Sequence, residues 1–270
     1  MPHRAVPLAD STRRAWITGP SAGIGAAFAR RLARDGWDVV LVARDRERLT
    51  ALADELHRGH GIAADVIAAD LTDPAARGAV ERALDTDRAL ELLINNAGFG
   101  TVGAFASLDA EREEAEITLN VVALVRLTRA ALPGLIGRGR GAVINVSSMA
   151  AFQPGPHNAT YAATKAFVNS FTEALHEELR GTAVRAMALC PGFTRTEFQE
   201  RAQMDVSAIP AAAWMSAEAV VDAALTGLRR GDVVCVPGTA NWLVSGAVAA
   251  LPRALVRRAI GGGARRIFGK

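Results

Sequence analysis

The chain contains one tyrosine, Tyr161, and a lysine, Lys165, follows it four positions later in the segment YAATK. Residues four apart lie on one face of an α-helix, and the segment from Thr160 onward has a helical pattern. A nearby ammonium stabilises a phenolate and lowers the phenol pKa from about 10, so the pair could act as a general acid or base. Taken alone, however, the pair fits a half-buried tyrosine and a snorkelling lysine on an ordinary amphipathic helix better.

A glycine-rich segment, TGPSAGIG at 18–25, lies where the first predicted strand should turn into the first predicted helix. Gly19 can end the strand in a conformation that other residues avoid, Gly23 lets the backbone approach a phosphate, and Gly25 lets the helix pack closely on the sheet. The helix N-terminus offers free N–H groups to a pyrophosphate. The spacing is G-x3-G-x-G, not the commoner G-x-G-x-x-G. We predict nucleotide binding by Thr18, Gly19, Ser21, Gly23, Ile24 and Gly25.

The end of the second predicted strand, VVLVARD, bears on the choice of nucleotide. An acid at this place often accepts hydrogen bonds from the ribose 2′-hydroxyl of NAD, whereas an arginine accommodates the 2′-phosphate of NADP. Arg44 could make a charge-assisted contact with that phosphate, and Ala43 brings no opposing charge. Asp45 complicates this interpretation, and a solvated loop charge is the alternative for Arg44. The sequence favours NADP, with NAD as the alternative.

Short apolar runs alternate with amphipathic stretches along most of the chain. Seven runs are typical of strands, and several are nearly continuous in apolar residues, as expected when helices cover both faces of a parallel sheet. These runs cover residues 15–18, 38–43, 64–70, 90–96, 141–147, 184–190 and 232–237. The alternation predicts a doubly wound α/β fold. One intervening helix should end at Gly36 and another, from Glu111 to Leu132, should stop at Pro133.

Length and composition predict one domain from 14 to 238, preceded by a disordered lead, 1–13, and followed by a basic amphipathic helical extension, 239–270. The lead lacks the apolar run of a secretory signal, so a cytoplasmic protein is expected. Cys190 and Cys235 stand apart from each other and from the scattered histidines. We therefore expect reduced core thiols and no metal site.

The positive net charge of +3 comes from the C-terminal extension. The chain has six basic residues and no acidic residue after Asp232. Without its six basic residues, the chain has 25 basic and 28 acidic side chains, a net charge of −3. This distribution argues against a general nucleic-acid-binding surface. The six basic residues are Arg253, Arg257, Arg258, Arg265, Arg266 and Lys270.

The extension is too short and too interrupted to span a bilayer, which requires about 20 apolar residues. Its apolar side chains fall at spacings of four, three and four, which predicts one helical stripe with Arg253 and Arg257 turned away from it. The stripe consists of Val244, Val248, Leu251 and Leu255. A subunit interface or a substrate-pocket wall is the favoured role, and a helix lying on an anionic membrane surface is the alternative.

Further motifs occur in order with the glycine loop and YAATK: NNAG at 95–98, Asn120, the serines of NVSS, and PGFTRT at 191–196. With these spacings the chain resembles the short-chain dehydrogenases/reductases of the compact single-domain type over about residues 14–238. The resemblance implies a seven-stranded parallel sheet (Rossmann fold) with three helices on each face. It also implies a nicotinamide cofactor at the C-terminal edge of the strands.

The resemblance implies a role for each catalytic position. Tyr161 is similar to the family's acid/base, and Lys165 is similar to its partner. Of Ser147 and Ser148, the second resembles the residue that polarises the substrate. Asn120 resembles the residue that helps to hold a water-linked proton relay to the lysine.

The resemblance also implies that three further segments bind the cofactor. NNAG would lie beside the ribose, the start of DLTD would meet the adenine amino group, and PGFTRT would hold the nicotinamide. The residues carried over are Asp70, Leu71, Asn96, Ala97, Gly98, Pro191, Gly192, Thr194 and Thr196, together with Asn120, Tyr161 and Lys165. Many NADP-dependent members carry a basic residue just before the second glycine of the loop, where this chain has Ala22. The preference for NADP therefore rests on Arg44.

The segment 193–216 should fold over the substrate, as lids often do. Its large apolar residues would line an apolar pocket, with ordinary loop packing as the alternative. They are Phe193, Phe198, Met204, Ile209, Trp214 and Met215. His157, just before the tyrosine, is a weaker candidate for a substrate contact.

These observations together predict an NAD(P)-dependent oxidoreductase that transfers a hydride between the cofactor and a carbonyl or secondary alcohol. The expected substrate is lipophilic, a ketone or a 3-oxoacyl compound. The alternatives are a non-catalytic NADP-binding regulator and a membrane-surface module. The resemblance implies a homo-oligomer, dimer or tetramer, and the extension could add a peripheral membrane contact.

Overall fold

Strands form at all seven predicted runs and join in one parallel sheet of order β3-β2-β1-β4-β5-β6-β7. The computed structural model describes residues 13–202, 204, 206, 207 and 209–268, so the predicted disordered lead lies almost wholly outside the described residues. The strands are β1 (Arg14–Thr18), β2 (Asp38–Ala43), β3 (Ala64–Ala68), β4 (Leu90–Asn95), β5 (Gly141–Val146), β6 (Val184–Leu189) and β7 (Val234–Cys235). The sequence order reverses between β1 and β4, which is the switch point where ligands bind in such sheets.

Helices cover both faces of the sheet. They are α1 (Gly23–Arg34), α2 (Arg46–His60), α3 (Pro74–Thr86), α4 (Ala110–Ile117), α5 (Leu124–Arg138), α6 (Ala159–Glu178), α7 (Phe198–Arg201), α8 (Ala217–Arg230), α9 (Thr239–Ala250) and α10 (Arg253–Phe268). Helices α1, α2 and α8 pack in the core on one face, and α3, α5 and α6 pack on the other. The predicted doubly wound α/β fold is confirmed.

The two cores follow from the alternation of side chains along each strand. On β1, Ile17 packs with Phe28 of α1, whereas Trp16 points to the other face and packs in the cluster of Leu127 on α5. Successive strand residues point to opposite faces, so a strand between two helical layers must be apolar at every position. This requirement explains the nearly continuous apolar runs.

The prediction that a helix stops at Pro133 is wrong. Helix α5 continues to Arg138, with Pro133 exposed inside it, and Gly139 ends it in the left-handed conformation at φ 64°. A proline removes one helical hydrogen bond and crowds the preceding turn, a cost that tertiary packing can offset. Here Leu135, beyond the proline, is fully buried in the core and anchors the last turn.

Between α4 and α5 the helix widens into a π-helical segment, Thr118–Ala123, which contains Asn120. Such π-bulges occur frequently at functional sites. By length and composition alone, the continuous helical stretch Ala110–Arg138 would suit a membrane span, as the core helices of soluble proteins often do. Its buried side chains, Leu127 and Ala131 among them, pack on the sheet.

The C-terminal extension forms two helices, so its apolar side chains do not make the one continuous stripe predicted. Leu251 is extended, at φ −88° and ψ 145°, and ends α9. The physical reason is Pro252, since the residue before a proline is disfavoured in the helical region. Val244, Leu251 and Leu255 are each about half exposed, at 52%, 50% and 51%.

Candidate active site

A cavity of about 1250 Å³ opens at the carboxyl ends of the strands, above the switch point between β1 and β4. Its walls combine the glycine loop, the ends of β2 to β6, the start of α6 and the segment after β6. A smaller cavity, of about 630 Å³, lies beside β7 and α8 and is lined by none of the predicted site residues. The large cavity is therefore the candidate active site.

The glycine loop has the backbone conformation that its sequence predicts. Gly19 has a φ of +67°, and its N–H donates to the carbonyl of Val42 at 2.8 Å. Ala22 precedes the first turn of α1 without a side-chain cap, so the N–H groups of that turn remain free of such a partner. A Cβ on Gly23 would lie 2.9 Å from Cγ2 of Thr196, which therefore closes over the loop.

Asn96 braces the loop from β4. Its side-chain amide donates to the carbonyls of Thr18 and Gly19, at 2.9 and 3.0 Å. The Thr18 hydroxyl in turn accepts from the N–H groups of Asn96 and Ala97, at 3.0 and 2.9 Å. Asn96, Ala97 and Gly98 also line the cavity. The amide of Asn96 thus acts on the loop, and its predicted contact with a ribose remains a prediction.

Of the two charged residues directly after β2, Asp45 has a structural role, and Arg44 is exposed at the cavity wall. Asp45 caps α2, because its carboxylate accepts from the N–H of Arg48 at 3.0 Å, and it also pairs with that arginine's side chain. Asp45 is therefore less available to oppose a phosphate. Arg44 is 76% exposed at the cavity wall, and its nearest carboxylate is that of Asp70, at 3.8 Å.

Asp70 and Leu71 also line the cavity, and their contact with an adenine remains a prediction. Burial acts to raise the pKa of Asp70, but the hydrogen bonds from the side chain and backbone of Thr72, together with the charge of Arg44, lower that pKa below its ordinary value. Asp70 therefore stays ionised and can accept a hydrogen bond.

Tyr161 and Ser148 share one wall of the cavity. Burial raises the pKa of Tyr161 to about 12, while the Ser148 hydroxyl acts to lower it. Ser147 is buried, and its hydroxyl donates to the carbonyl of Lys165 at 3.0 Å, so it helps to fasten β5 to α6. Of the two serines, it is Ser148 that meets the tyrosine.

Lys165 lies one turn beyond Tyr161, with its Nζ 5.6 Å from the centroid of the tyrosine ring. The ammonium donates to the carbonyl of Val146 at 2.8 Å. Burial lowers the pKa of Lys165 to about 8. The drop in the tyrosine pKa expected from this lysine is not found, because desolvation of the phenol dominates.

The side chains of Asn120 and Lys165 both approach Gly98. A Cβ on Gly98 would lie 2.8 Å from Oδ1 of Asn120 and 3.5 Å from Nζ of Lys165. The Asn120 amide nitrogen donates to the carbonyl of Phe99 at 2.9 Å and to the Thr164 hydroxyl at 3.1 Å. These bonds fix Asn120 beside the lysine; its part in a proton relay remains a prediction.

The segment after β6 supplies the remaining predicted residues. Pro191, Gly192, Thr194 and Thr196 line the cavity, and so do Phe193, Phe198 and Met204. The ring of Phe198 lies 5.4 Å from that of Tyr161. Ile209, Trp214 and Met215 are not among the lining residues, and neither is His157. Trp214 packs on Phe193 and Met215 packs against the core, which is the loop-packing alternative.

Several cavity residues were missed from sequence. Asn241 of α9, Ile260 of α10 and Arg112 of α4 line the cavity and were not predicted to do so. No sequence signal indicates these contacts, because they depend on how the helices pack in the tertiary structure. Val244, which belongs to the predicted stripe, also lines the cavity, and this supports the pocket-wall role for the extension. The buried acid Glu116 could have been found, since it lies one helical turn before Asn120.

Comparison with known proteins agrees with this geometry. A family profile described as short chain dehydrogenase matches residues 13–207. Sulfoacetaldehyde reductase 2 of Chromohalobacter salexigens is 38% identical over 185 residues, 67% of this chain and 73% of that protein.

Two solved structures are similar to the chain in both fold and sequence. A short-chain dehydrogenase from Sphingobium yanoikuyae in complex with NADPH is 40% identical, with a TM-score of 0.81 over 90% of this chain and 97% of its own. The bulky-bulky ketone specific alcohol dehydrogenase from Comamonas testosteroni is 34% identical, with a TM-score of 0.77 over 91% and 97%. The chain therefore belongs to the short-chain dehydrogenase/reductase family and is an NAD(P)-dependent oxidoreductase.

Proposed function

We propose that this enzyme uses NADP to interconvert a lipophilic ketone, or a 3-oxoacyl compound, and the corresponding secondary alcohol. The observation that carries the proposal is the position of two hydroxyls, those of Tyr161 and Ser148, in the same cavity as the glycine loop. Phe193, Phe198 and Met204 give the cavity apolar walls. A substrate with apolar groups on both sides of its carbonyl suits such walls.

The residues present fit a dinucleotide. Gly19 and Gly23 hold backbone conformations with positive φ, and the uncapped start of α1 can receive a pyrophosphate. The glycine loop packs tightly against the start of α1 at Gly25, where a Cβ would lie 2.5 Å from the carbonyl oxygen of Gly19. Asp70 and Leu71 would hold the adenine end, and the segment from Pro191 to Thr196 would hold the nicotinamide end.

When bound, a nicotinamide would supply the hydride that the carbonyl carbon receives in reduction, and would accept a hydride from the alcohol carbon in oxidation. The negative charge that develops on the carbonyl oxygen then requires donors already aimed at it. Ser148 donates a hydrogen bond to that oxygen, and Tyr161 transfers its proton to it, which completes the alcohol. Lys165 stabilises the resulting phenolate, since an ammonium nearby favours the charged form. In the opposite direction, Tyr161 accepts the proton of the alcohol.

The preference for NADP rests on Arg44. Its guanidinium is exposed at the cavity wall, and Asp45 is engaged as the cap of α2. A guanidinium can form two parallel hydrogen bonds to a phosphate. The NADPH in the Sphingobium enzyme supports the same choice for this chain.

The proposal of a lipophilic substrate is supported by a related enzyme as well as by the apolar side chains that line the cavity. The Comamonas enzyme is described as specific for bulky-bulky ketones. A non-catalytic NADP-binding regulator is the alternative, but a regulator needs the glycine loop and has little use for the tyrosine, serine and lysine.

Self-association and location complete the proposal. Exposed apolar side chains on the α4–α5 helix and on α6, Ile117, Val122 and Phe167, suit a homodimer or homotetramer interface. Both cysteines are buried and free, which fits the reducing cytoplasm. Trp242 and Leu243, at 63% and 62% exposure beside the basic α10, keep a peripheral membrane contact as an alternative role for the extension.

The experiment is a screen of lipophilic ketones, 3-oxoacyl thioesters and secondary alcohols, followed by the absorbance of NADPH, with small hydrophilic aldehydes for comparison. We expect turnover with bulky ketones or 3-oxoacyl thioesters. NADPH binding without turnover of any compound would favour the regulator. Flotation with phosphatidylserine vesicles tests the membrane alternative, and an absence of salt-sensitive binding would remove it.

A further inference from the structure

Two of the four glutamates on α4 are buried behind the active site. Glu116 has 0% exposure and Glu113 has 8%, whereas Glu111 and Glu114 are exposed. Burying a carboxylate is costly unless it is paired or hydrogen-bonded. Among the described residues, neither buried glutamate has an arginine or lysine within ion-pair distance. Their burial therefore needs another explanation.

The two carboxylates hold the chain on both sides of Tyr161. Glu116 accepts from the N–H and the hydroxyl of Thr101, both at 2.8 Å. Thr101 follows Gly100, where a Cβ would lie 2.9 Å from the tyrosine ring. Glu113 accepts from the hydroxyl of Thr160, which directly precedes Tyr161. The second oxygen of each carboxylate is buried and has no hydrogen-bond partner among the described residues.

Lys165 is the basic residue that interacts electrostatically with Glu116. The carboxylate of Glu116 favours the ammonium of Lys165, and the lysine in turn favours the carboxylate. Glu116 lies one turn before Asn120, which meets Lys165 at Gly98. Two other titratable groups take part: Glu113 acts on Glu116, and the Cys190 thiol at the end of β6 acts on Lys165 and on Tyr161.

We infer that Glu116 is a positioning residue for the reaction, a buried counter-charge that keeps Lys165 in its ammonium form. This role rests on the proposed function, because the ammonium matters only if Tyr161 exchanges a proton. The same carboxylate also disfavours the phenolate of Tyr161. Glu116 therefore favours a protonated tyrosine beside a charged lysine, the state that begins carbonyl reduction.

The titrations of the groups are consistent with this role. Burial raises the pKa of Glu116 to about 7; the hydrogen bonds from Thr101 oppose this rise and the charge of Glu113 adds to it. Above neutrality Glu116 is therefore mostly ionised, while Lys165, with a pKa of about 8, begins to lose its proton. The counter-charge is present in the pH range where the lysine needs it.

The chain has only two lysines, Lys165 and Lys270, so the role can be tested without a cofactor or a substrate. Lysine labelled with ¹³C at Cε would give two NMR signals in the full-length protein, and the signal missing in Lys270→Arg belongs to Lys270. We expect Glu116→Gln to lower the titration midpoint of Lys165 by at least about half a pH unit, as expected for the loss of a nearby opposite charge.

Matched variants make the result specific. Glu114→Gln removes an exposed charge from the same helix and should leave the Lys165 midpoint unchanged. Glu113→Gln removes the charge that opposes ionisation of Glu116, so it should not lower the midpoint. If Glu116→Gln does not fold, Thr101→Val removes one donor to the carboxylate and should shift the midpoint downward by a smaller amount.

An unchanged Lys165 midpoint in folded Glu116→Gln would overturn the inference, and so would an equal shift in Glu114→Gln. A failure of the proposed function would appear separately, as a lack of turnover with every carbonyl compound in a wild type whose Lys165 titration still responds to Glu116. Where turnover is found, the loss of kcat at alkaline pH should begin at lower pH in Glu116→Gln.

Discussion

The side-chain nitrogen of Asn96 lies 2.5 Å from the point that a Cβ of Gly25 would occupy. The same nitrogen donates to the carbonyl of Thr18 at 2.9 Å. The end of β4 and the start of α1 therefore meet with no space for a side chain between them. This contact gives the loop before α1 a fixed shape, which a pyrophosphate would need in order to meet several N–H groups at once.

Asn96→Ala should weaken NADPH binding by about tenfold or more, because two partly buried hydrogen bonds that shape the glycine loop are lost. Titration calorimetry or fluorescence would measure the Kd. Asn169→Ala is the control, since it removes a buried asparagine whose partner is Cys190 at the end of β6 and not a residue of the glycine loop. Equal losses of affinity in the two variants would contradict the role given to Asn96.

Tyr161→Phe should reduce kcat by about 100-fold or more, the usual contribution of general acid-base catalysis, with NADPH affinity nearly unchanged. Phenylalanine keeps the ring that packs on Phe198 and removes only the hydroxyl. Steady-state rates with the best substrate of the screen provide the measurement. Turnover at the native rate would remove Tyr161 from the mechanism.

Ser148→Ala should lower kcat by about 100-fold, as expected when a donor to a developing oxyanion is lost. Ser147→Ala is its matched control on the adjacent residue. The Ser147 hydroxyl donates to the carbonyl of Lys165, so its loss should lower the melting temperature more than kcat. The reverse pattern would show that the two serines have been assigned the wrong way round.

Arg44→Ala should raise the Kd for NADPH by about tenfold or more and leave that for NADH nearly unchanged, because only NADPH carries the 2′-phosphate. The affinity of Arg46→Ala, which removes the next exposed arginine of the chain, should match wild type for both nucleotides. Equal losses of NADPH and NADH binding in Arg44→Ala would argue against a phosphate contact.

Glu116 should make the folded protein less stable at pH 8 than at pH 5. Its pKa is about 7 when folded, above the ordinary value of 4.5, so its contribution to stability is full below 4.5 and is lost as pH rises through 7. The full effect would be about 3 kcal/mol at most. Lys165, whose folded pKa is lowered to about 8, changes stability mainly above this range.

Denaturant unfolding of wild type and Glu116→Gln at both pH values measures this effect. The glutamine variant has no charge to bury, so its loss of stability between pH 5 and pH 8 should be smaller than that of the wild type. Equal losses would show that Glu116 does not titrate in this range.

The fold could be predicted from local patterns, because the central strands are buried on both faces and are apolar at nearly every position. The predicted runs coincide with the strands to within a few residues, although β7 shrinks to Val234–Cys235. Helix ends were less predictable. Pro133 does not end α5, since the buried Leu135 beyond it outweighs the local preference of the proline.

The family, the sheet and the residues with chemical roles could be predicted, because they depend on motifs of fixed spacing within single elements. The contacts between those elements were found only in the folded chain. Folding brought Asn241 of α9 to Gly192, assigned Asp45 to the cap of α2, and set the buried Glu116 within reach of the charge of Lys165. Such contacts depend on burial and on distances across elements far apart in the chain, which no local pattern encodes.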